Sequence, residues 1–482
     1  MGWTKRSADW LVLAGIVLAV LVARAQTFTD PVLGFDEQYY LLVADRWLHG
    51  AVPYVDIWDR KPIGLFMIYA AAIRLGSDPF LQYKLLAAVF VTATAYAIFR
   101  GARSDSGTGA GRFGAVVAAL LYVFWLNFMG GEGGQSPVFY NLPVLLAALL
   151  VRRAVERRGT LLPLGLIAML LVGVAIQIKY TVVFEGLFFG LLLLHAGSTA
   201  WGVSSRLIGA AAAWVAVALA PTVLAYAVYA AMGHGQAFVF ANFLSIFGRL
   251  PDPLLERMGG LAAIVGILAP LAIVAVLAWR RERRLSFVQM WAGAAMFGVL
   301  AFGSFLSPSY ALPVLAPLCL CAAPWFENAR RGRWVAVGLL GLSLIGGLLM
   351  VRQAIIDKGN RAEALQVAAA ARPQRGGCIW VWDGYPALYL LADACVPTKW
   401  AFPGHLNTSD EASVRALGVD PVVEVKRILA ARPEVIIDDF PAYRLDNQET
   451  RALVEAELAR SYRLTARVQT GPGRFRLVYR LK

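Results

Sequence analysis

Chemistry is concentrated in one short stretch of this chain. It reads Gly34-Phe35-Asp36-Glu37-Gln38-Tyr39-Tyr40, runs through Asp45-Arg46-Trp47 to His49-Gly50, and ends in Asp56-Ile57-Trp58-Asp59-Arg60-Lys61-Pro62. Tyr40, Val43, Ala44 and Trp47 recur at helical spacing up to Gly50, which predicts a helix with Asp36 and Glu37 in its first turn. The helix dipole favours a carboxylate there and helps to keep it ionised, so Asp36 has the chemistry of a base, with Glu37 beside it. The plainer alternative is that Asp36 only caps the helix. Pro62 suits the first position of a second, short helix over 63–75. Arg60 and Lys61 then sit at that helix's positive end, the wrong end for cations unless an anion such as a phosphate binds between them and the free backbone N–H groups. The alternative is a salt bridge with Asp56 or Asp59 on a solvated face. Tyr39, Tyr40, Arg46 and Asp59 complete the candidate substrate-binding set.

Two more polar points stand out farther along. Glu132 lies in Gly130-Gly131-Glu132-Gly133-Gly134-Gln135, an acid on what reads as a flexible loop. Lys179 sits at a turn between two apolar runs, where it can reach a lipid phosphate or simply snorkel. Glu185 falls within an apolar run and is a loose candidate to pair with it. His49, His195, His234 and His405 show no metal-ligand spacing, and no phosphate-cradling Walker pattern occurs.

The elements that must position these residues are apolar. Of 482 residues 59% are hydrophobic and only 16% charged, with a mean hydropathy of +0.61, more apolar surface than a soluble chain can bury. Runs long enough to span a bilayer lie near 10–25, 81–99, 113–129, 136–151, 161–178, 181–197, 207–231, 259–279, 286–306, 309–323 and 334–351. The run 63–75 is short and suits a helix lying in the interface. Its exclusion from the spans puts the arginine blocks at 100–112, 152–158, 280–284 and 330–333 in cytoplasmic loops together with Lys5, Arg6 and Arg206, as the positive-inside rule requires. The net charge of +14 thus reads as membrane topology, with a lipid bilayer and no nucleic acid as the partner. The run ending in Ala23-Arg24-Ala25 resembles a signal-peptidase site; a retained first helix is the expectation, and either outcome puts residue 26 onward outside.

The fold expected is therefore an all-α polytopic membrane domain over 1–351, with about eleven transmembrane helices and interfacial helices in a first outer loop, 26–80. A small extracytoplasmic α/β domain follows over 352–482. Strand-like runs at Cys378–Trp382, Val435–Ile437 and Arg474–Tyr479 alternate there with helical runs at Pro386–Ala392 and Gln448–Ala459. Cys378 and Cys395 lie in this outer region, where a disulfide and two free thiols are both open readings; Cys319 and Cys321 read as core packing.

An acidic pair in the first outer loop, then an aromatic and acidic stretch ending in a basic residue and proline, resembles the protein O-mannosyltransferase and lipid A aminoarabinose transferase group within the C-type glycosyltransferases. The resemblance spans roughly 1–350 and is most specific at Asp36-Glu37 and Arg60-Lys61-Pro62. It implies that Asp36 is a catalytic base, that Lys61 contacts the phosphate of a polyprenyl-phosphate sugar donor, and that Glu132 stands where a second outer-loop acid is usual. The implied reaction is inverting hexosyl or pentosyl transfer to a glycan, glycolipid or protein hydroxyl at a bacterial inner membrane, with the N-terminus cytoplasmic. The acids have the chemistry to hold a divalent metal, although the resemblance points to members that manage without one. The competing classes are a transporter or flippase of lipid-linked saccharides, which should carry ionisable groups at the bilayer midplane, and a membrane scaffold, which leaves the charges of the first loop without a purpose.

Overall fold

The computed structural model describes residues 2–103, 110–282, 285–327, 329–374, 377–442 and 445–482. Arg283 and Arg284 lie outside the described residues, as do the side chains of Lys5, Arg6, Arg281 and Arg330. The protein is a polytopic, mostly helical membrane protein with a small C-terminal sheet. In chain order its membrane-side helices are α1 Gly2–Arg24, α2 Phe35–Leu48, α3 Ile63–Ile73, α4 Pro79–Ala102, α5 Arg112–Trp125, α6 Ser136–Glu156, α7 Leu161–Ile176, α8 Val183–Trp201, α9 Ser205–Ala231, α10 Gly235–Val239, α11 Leu254–Glu282, α12 Phe287–Phe302, α13 Leu312–Phe326 and α14 Ala329–Lys358. Each of the eleven expected spans is a helix. Among the described residues eight are long and apolar enough to cross a bilayer by length and composition, Arg112–Phe128 and Phe287–Phe302 are shorter apolar helices, and α1 is in neither group. Ile63–Ile73 is a short helix with Ile63, Leu65, Phe66, Tyr69 and Ala72 buried and Met67 exposed, which suits an element that does not cross.

The chain divides into two compact units. The first is Met1–Thr27, Lys84–Leu224 and Pro253–Val351. Its centre is α13, which packs against α5, α6, α11 and α12 and buries Cys319 and Cys321. Gly114 lets α5 approach α13 so closely that an added Cβ would lie 2.3 Å from the Ala323 carbonyl oxygen, the small-residue contact that membrane helices use in place of a hydrophobic driving force.

The second unit is Phe28–Tyr83, Ala225–Asp252 and Arg352–Lys482. The C-terminal region therefore does not stand alone; it folds with the first loop and with residues 225–252. Helix α15, Arg361–Ala371, starts on an Asn360–Glu363 capping box and lies against a four-stranded sheet. The strands are β1 Ile379–Val381, β2 Val435–Phe440, β3 Tyr462–Gly471 and β4 Arg474–Leu481, in the order β1-β2-β4-β3. β1 and β2 are parallel, in the register Ile379↔Val435, and β3 and β4 form an antiparallel hairpin. Strand β3 escapes a hydrophobic-period reading because Arg463, Thr465, Arg467 and Gln469 give it a polar, exposed edge. Cys378 and Cys395 form a disulfide beside β1.

Candidate functional site

Helix α2 is the frame of the first-loop site. Its N-cap is Gly34, so Asp36 sits inside the first turn and the capping alternative does not hold. Glu37 through Ala44 are all buried, which makes α2 a core element of its unit and not a helix with one wet face. The two neighbouring acids part company. The Glu37 carboxylate folds back over Gly34, where an added Cβ would meet it at 2.4 Å, and it is buried within electrostatic reach of Tyr69 and Tyr83. Asp36 stays half-buried, and the Tyr40 hydroxyl donates to its Oδ2 at 3.4 Å.

The same tyrosine receives the lysine. The Lys61 ammonium lies 5.6 Å from the centre of the Tyr40 ring, a cation–π contact, so acid and cation both contact one aromatic side chain. That ring is held in turn by Tyr69 at 5.6 Å and Phe66 at 6.4 Å from α3. Pro62 is the N-cap of α3, one position earlier than expected. Tyr54 holds the lysine's backbone: its hydroxyl donates to the Lys61 carbonyl at 2.8 Å, from a residue at φ +71° that an L side chain seldom adopts. No sequence pattern marked Tyr54, although a tyrosine in a Pro-Tyr turn beside the cations was the available signal.

Arg60 departs from expectation. Its guanidinium forms a bidentate pair with Glu411, one arm of which is 2.8 Å, bonds the Ala416 carbonyl at 3.2 Å and lies 5.0 Å over the Trp58 ring. The salt-bridge alternative is thus the one realised, with a partner in the C-terminal region and not Asp56 or Asp59. Asp56 caps its own turn through the Val52 N–H at 2.7 Å. Asp59 is buried and accepts the Arg60 backbone N–H at 2.6 Å. Burial raises its carboxyl above the ordinary carboxylate range, and Asp36 adds to the rise; Lys61, that N–H bond and the Arg60 charge oppose it.

Two other first-loop candidates are likewise occupied in holding the unit together. The Tyr39 hydroxyl donates to the Trp58 carbonyl at 2.8 Å and its ring packs on Phe402 at 5.1 Å. Arg46 donates to the Ala394 carbonyl at 2.7 Å, next to the disulfide. His405 is enclosed by Trp58, Tyr39 and Phe402, and burial, then Arg60, Lys61 and Arg249, push its imidazole well below the usual range.

Glu132 and Lys179 belong to the first unit. The glycine-rich loop around Glu132 is pinned by a buried cation: Arg24 donates to the carbonyls of Gly131 at 2.5 Å, Glu132 at 3.0 Å and Gly133 at 2.8 Å. Glycines were read as freedom; here they let three successive carbonyls converge on one guanidinium. The Glu132 side chain is half-buried. Lys179 lies 4.5 Å from the Tyr310 ring centre, and Glu185 accepts instead from Trp291 Nε1 at 2.7 Å. Glu185, Thr181 and Tyr310 line a shared small cavity, a polar element that spacing alone did not reveal. Among the described residues no three or more His, Cys, Asp or Glu side chains converge as metal ligands.

No family model matches the chain, and no curated protein does. Among solved structures 26 chains match. ArnT from Cupriavidus metallidurans, in the apo state, shares 15% identity at a TM-score of 0.63, with 98% of each chain covered; the same protein bound to undecaprenyl phosphate gives 0.59, covering 99% of this chain and 98% of that one. The archaeal oligosaccharyltransferase AglB from Archaeoglobus fulgidus, in complex with an inhibitory peptide and a dolichol-phosphate, gives 0.54 at 13% identity over 91% of this chain and 70% of that one.

Proposed function

We infer, for a chain that has the fold of the C-type glycosyltransferases over nearly its whole length, that it transfers a hexosyl or pentosyl group from a polyprenyl-phosphate donor to an acceptor hydroxyl on the extracytoplasmic face of a bacterial inner membrane. The observation that carries the reading is the arrangement of Asp36 and Lys61 about Tyr40: a half-buried carboxylate at the hydroxyl of the ring and a half-buried ammonium over its face. The fold relatives add support, since their structures contain undecaprenyl phosphate and a dolichol-phosphate.

Asp36 takes the proton of the acceptor hydroxyl. The oxygen's electron pair forms the bond to the anomeric carbon, the bond from that carbon to the phosphate oxygen breaks, and its pair leaves with polyprenyl phosphate. A single displacement inverts the anomeric centre. Phosphate is a good leaving group, so Lys61 needs only to stabilise the charge growing on it. Arg60 acts at one remove, through the backbone and ring system that fix Lys61. The charge pattern supports a cytoplasmic N-terminus, with 352–482 and the first loop outside.

One observation favours a transporter: Glu185 is a buried carboxylate within a span. Purified protein in detergent separates the readings. Release of polyprenyl phosphate from a lipid-linked sugar, lost in Asp36→Asn at normal protein level, supports the enzyme; a variant that transfers at the wild-type rate ends the base assignment. Mass spectrometry of envelope glycolipids and glycans from a strain lacking the gene then identifies the sugar and the acceptor.

A further inference from the structure

Between α9 and α11 the chain makes consecutive helical turns, Gly235–Val239, Phe240–Leu244 and Ser245–Gly248. Over 241–250 burial follows a helical period, but inside out. Ala241, Asn242, Ser245 and Gly248 are buried, whereas Phe243, Leu244, Phe247 and Leu250 are 38, 55, 85 and 49% exposed. Small and polar groups face inward and all four exposed positions of the stripe are large and apolar, the reverse of a helix whose outer face meets water.

The inward face is fastened to the C-terminal region of the same unit. Leu250 N–H bonds the Asp410 carbonyl at 2.9 Å, and Arg249 pairs with Asp410 and, at 3.1 Å, with Glu411. Gly248 lies so close to the 415–416 backbone that an added Cβ would be 2.2 Å from the Arg415 carbonyl carbon. The charge carried by this run, that of Arg249, is thereby paired on the inner side. In sequence the stripe continues the lipid-facing surfaces at its ends: it follows the span Ser205–Ala231 and precedes Leu254–Arg280.

We propose that Phe243, Leu244, Phe247 and Leu250 lie in the acyl-chain region of one bilayer leaflet, so that this segment is a strap fastening the second unit to the membrane. The occupant is phospholipid hydrocarbon, because the stripe joins two spans and carries no hydrogen-bonding side chain for a protein partner to read. The strap reaches the lysine as well. Tyr229 and Phe238 pack on Tyr54 at 5.3 and 5.9 Å, and the Tyr54 hydroxyl holds the Lys61 carbonyl. Inserting the stripe therefore sets Lys61 at headgroup depth, where a lipid-borne phosphate arrives; this consequence rests on the transferase reading, whereas the insertion does not.

The test uses the full chain in nanodiscs of phosphatidylcholine and phosphatidylglycerol, with Phe247→Cys and, separately, Leu244→Cys labelled with an environment-sensitive NBD dye. The native cysteines are buried or disulfide-bonded. Quenching by mid-chain doxyl lipid and shielding from aqueous iodide is the expected result, with the opposite pattern at Arg467→Cys on the exposed edge of β3. Iodide quenching at 247 as strong as at 467, without a doxyl effect, overturns the proposal. Shielding from both quenchers, as a second copy or another protein covering the stripe would cause, overturns it too. No sugar transfer enters either readout, so failure of the transferase reading leaves this result standing.

Discussion

Two clusters of the second unit gather acids and cations, and they are built on opposite plans. At the C-terminal ends of β1 and β2, every carboxylate meets a guanidinium: Arg451 pairs with Asp383 at 3.6 Å, Asp438 at 3.4 Å and Asp446, and Asp439 pairs with Arg476 and, at 3.1 Å, with Arg474. All but Arg474 are buried. The first loop contains a cluster of the same kind in miniature, Arg60 on Glu411, but Asp36 and Lys61 are treated differently. Both remain half-buried and both contact Tyr40. Charges that are buried and matched hold a fold together. Charges that stay half-buried can still be reached from outside the fold.

Substitutions at the two clusters should therefore fail in different ways. The largest effect is expected at Asp36→Asn, a loss of about 10³-fold in transfer rate with unchanged melting temperature, since removing a positioned base costs about 10²–10⁴-fold. Arg451→Met should do the reverse. Leaving three buried carboxylates without their cation costs about 3–5 kcal/mol, to be read as a lower midpoint in a thermal melt of the purified protein, and activity should fall only with the folded fraction. The adjacent pair gives the sharpest contrast. Lys61→Met should raise the donor KM about tenfold, whereas Arg60→Met should act first on the melting temperature; equal KM effects from both would erase the distinction drawn between them.

That contrast also marks where the sequence stopped being legible. The spans, the short helix after Pro62, the first-turn position of Asp36 and the C-terminal α/β character follow from local period, length and dipole, and all are present. The partners of the cations are not local. Arg24, Lys84, Arg60 and Arg249 are each taken up by a group distant in sequence: three glycine-loop carbonyls for Arg24, the Thr27 carbonyl at 2.6 Å for Lys84, and Glu411 for both Arg60 and Arg249. A basic residue on the outer side reads from sequence alone as a ligand for phosphate. Whether it is one depends on which acid or carbonyl the tertiary fold brings to it, and for Arg60 that acid lies some 350 positions along the chain.

The smallest predicted effect comes from titration, where two buried groups pull stability in opposite directions over the same pH range. Burial first, then Asp439 and Asp438, raise the Asp383 carboxyl to about 7 against the pull of Arg476 and Arg451, whereas its ordinary value is 3.8. Between those values the folded protein binds a proton that the unfolded chain has released, so this contribution is full below about pH 4 and is lost as pH rises through about 7. His405 works from the other side. Burial and the nearby cations push its imidazole well below its ordinary 6.5, so the unfolded chain takes up a proton in acid that the folded protein refuses, and stability falls as pH drops below that value. Between about pH 4 and 6.5 the two slopes oppose one another and nearly cancel, and above about pH 7 neither group titrates, so the melting temperature should change little across this range. Asp383→Asn should remove one of the opposed slopes and leave that of His405, so that the melting temperature rises by a few degrees between about pH 4 and 6.5; a variant profile as flat as the wild type's would place the titrating group elsewhere than at the ends of β1 and β2.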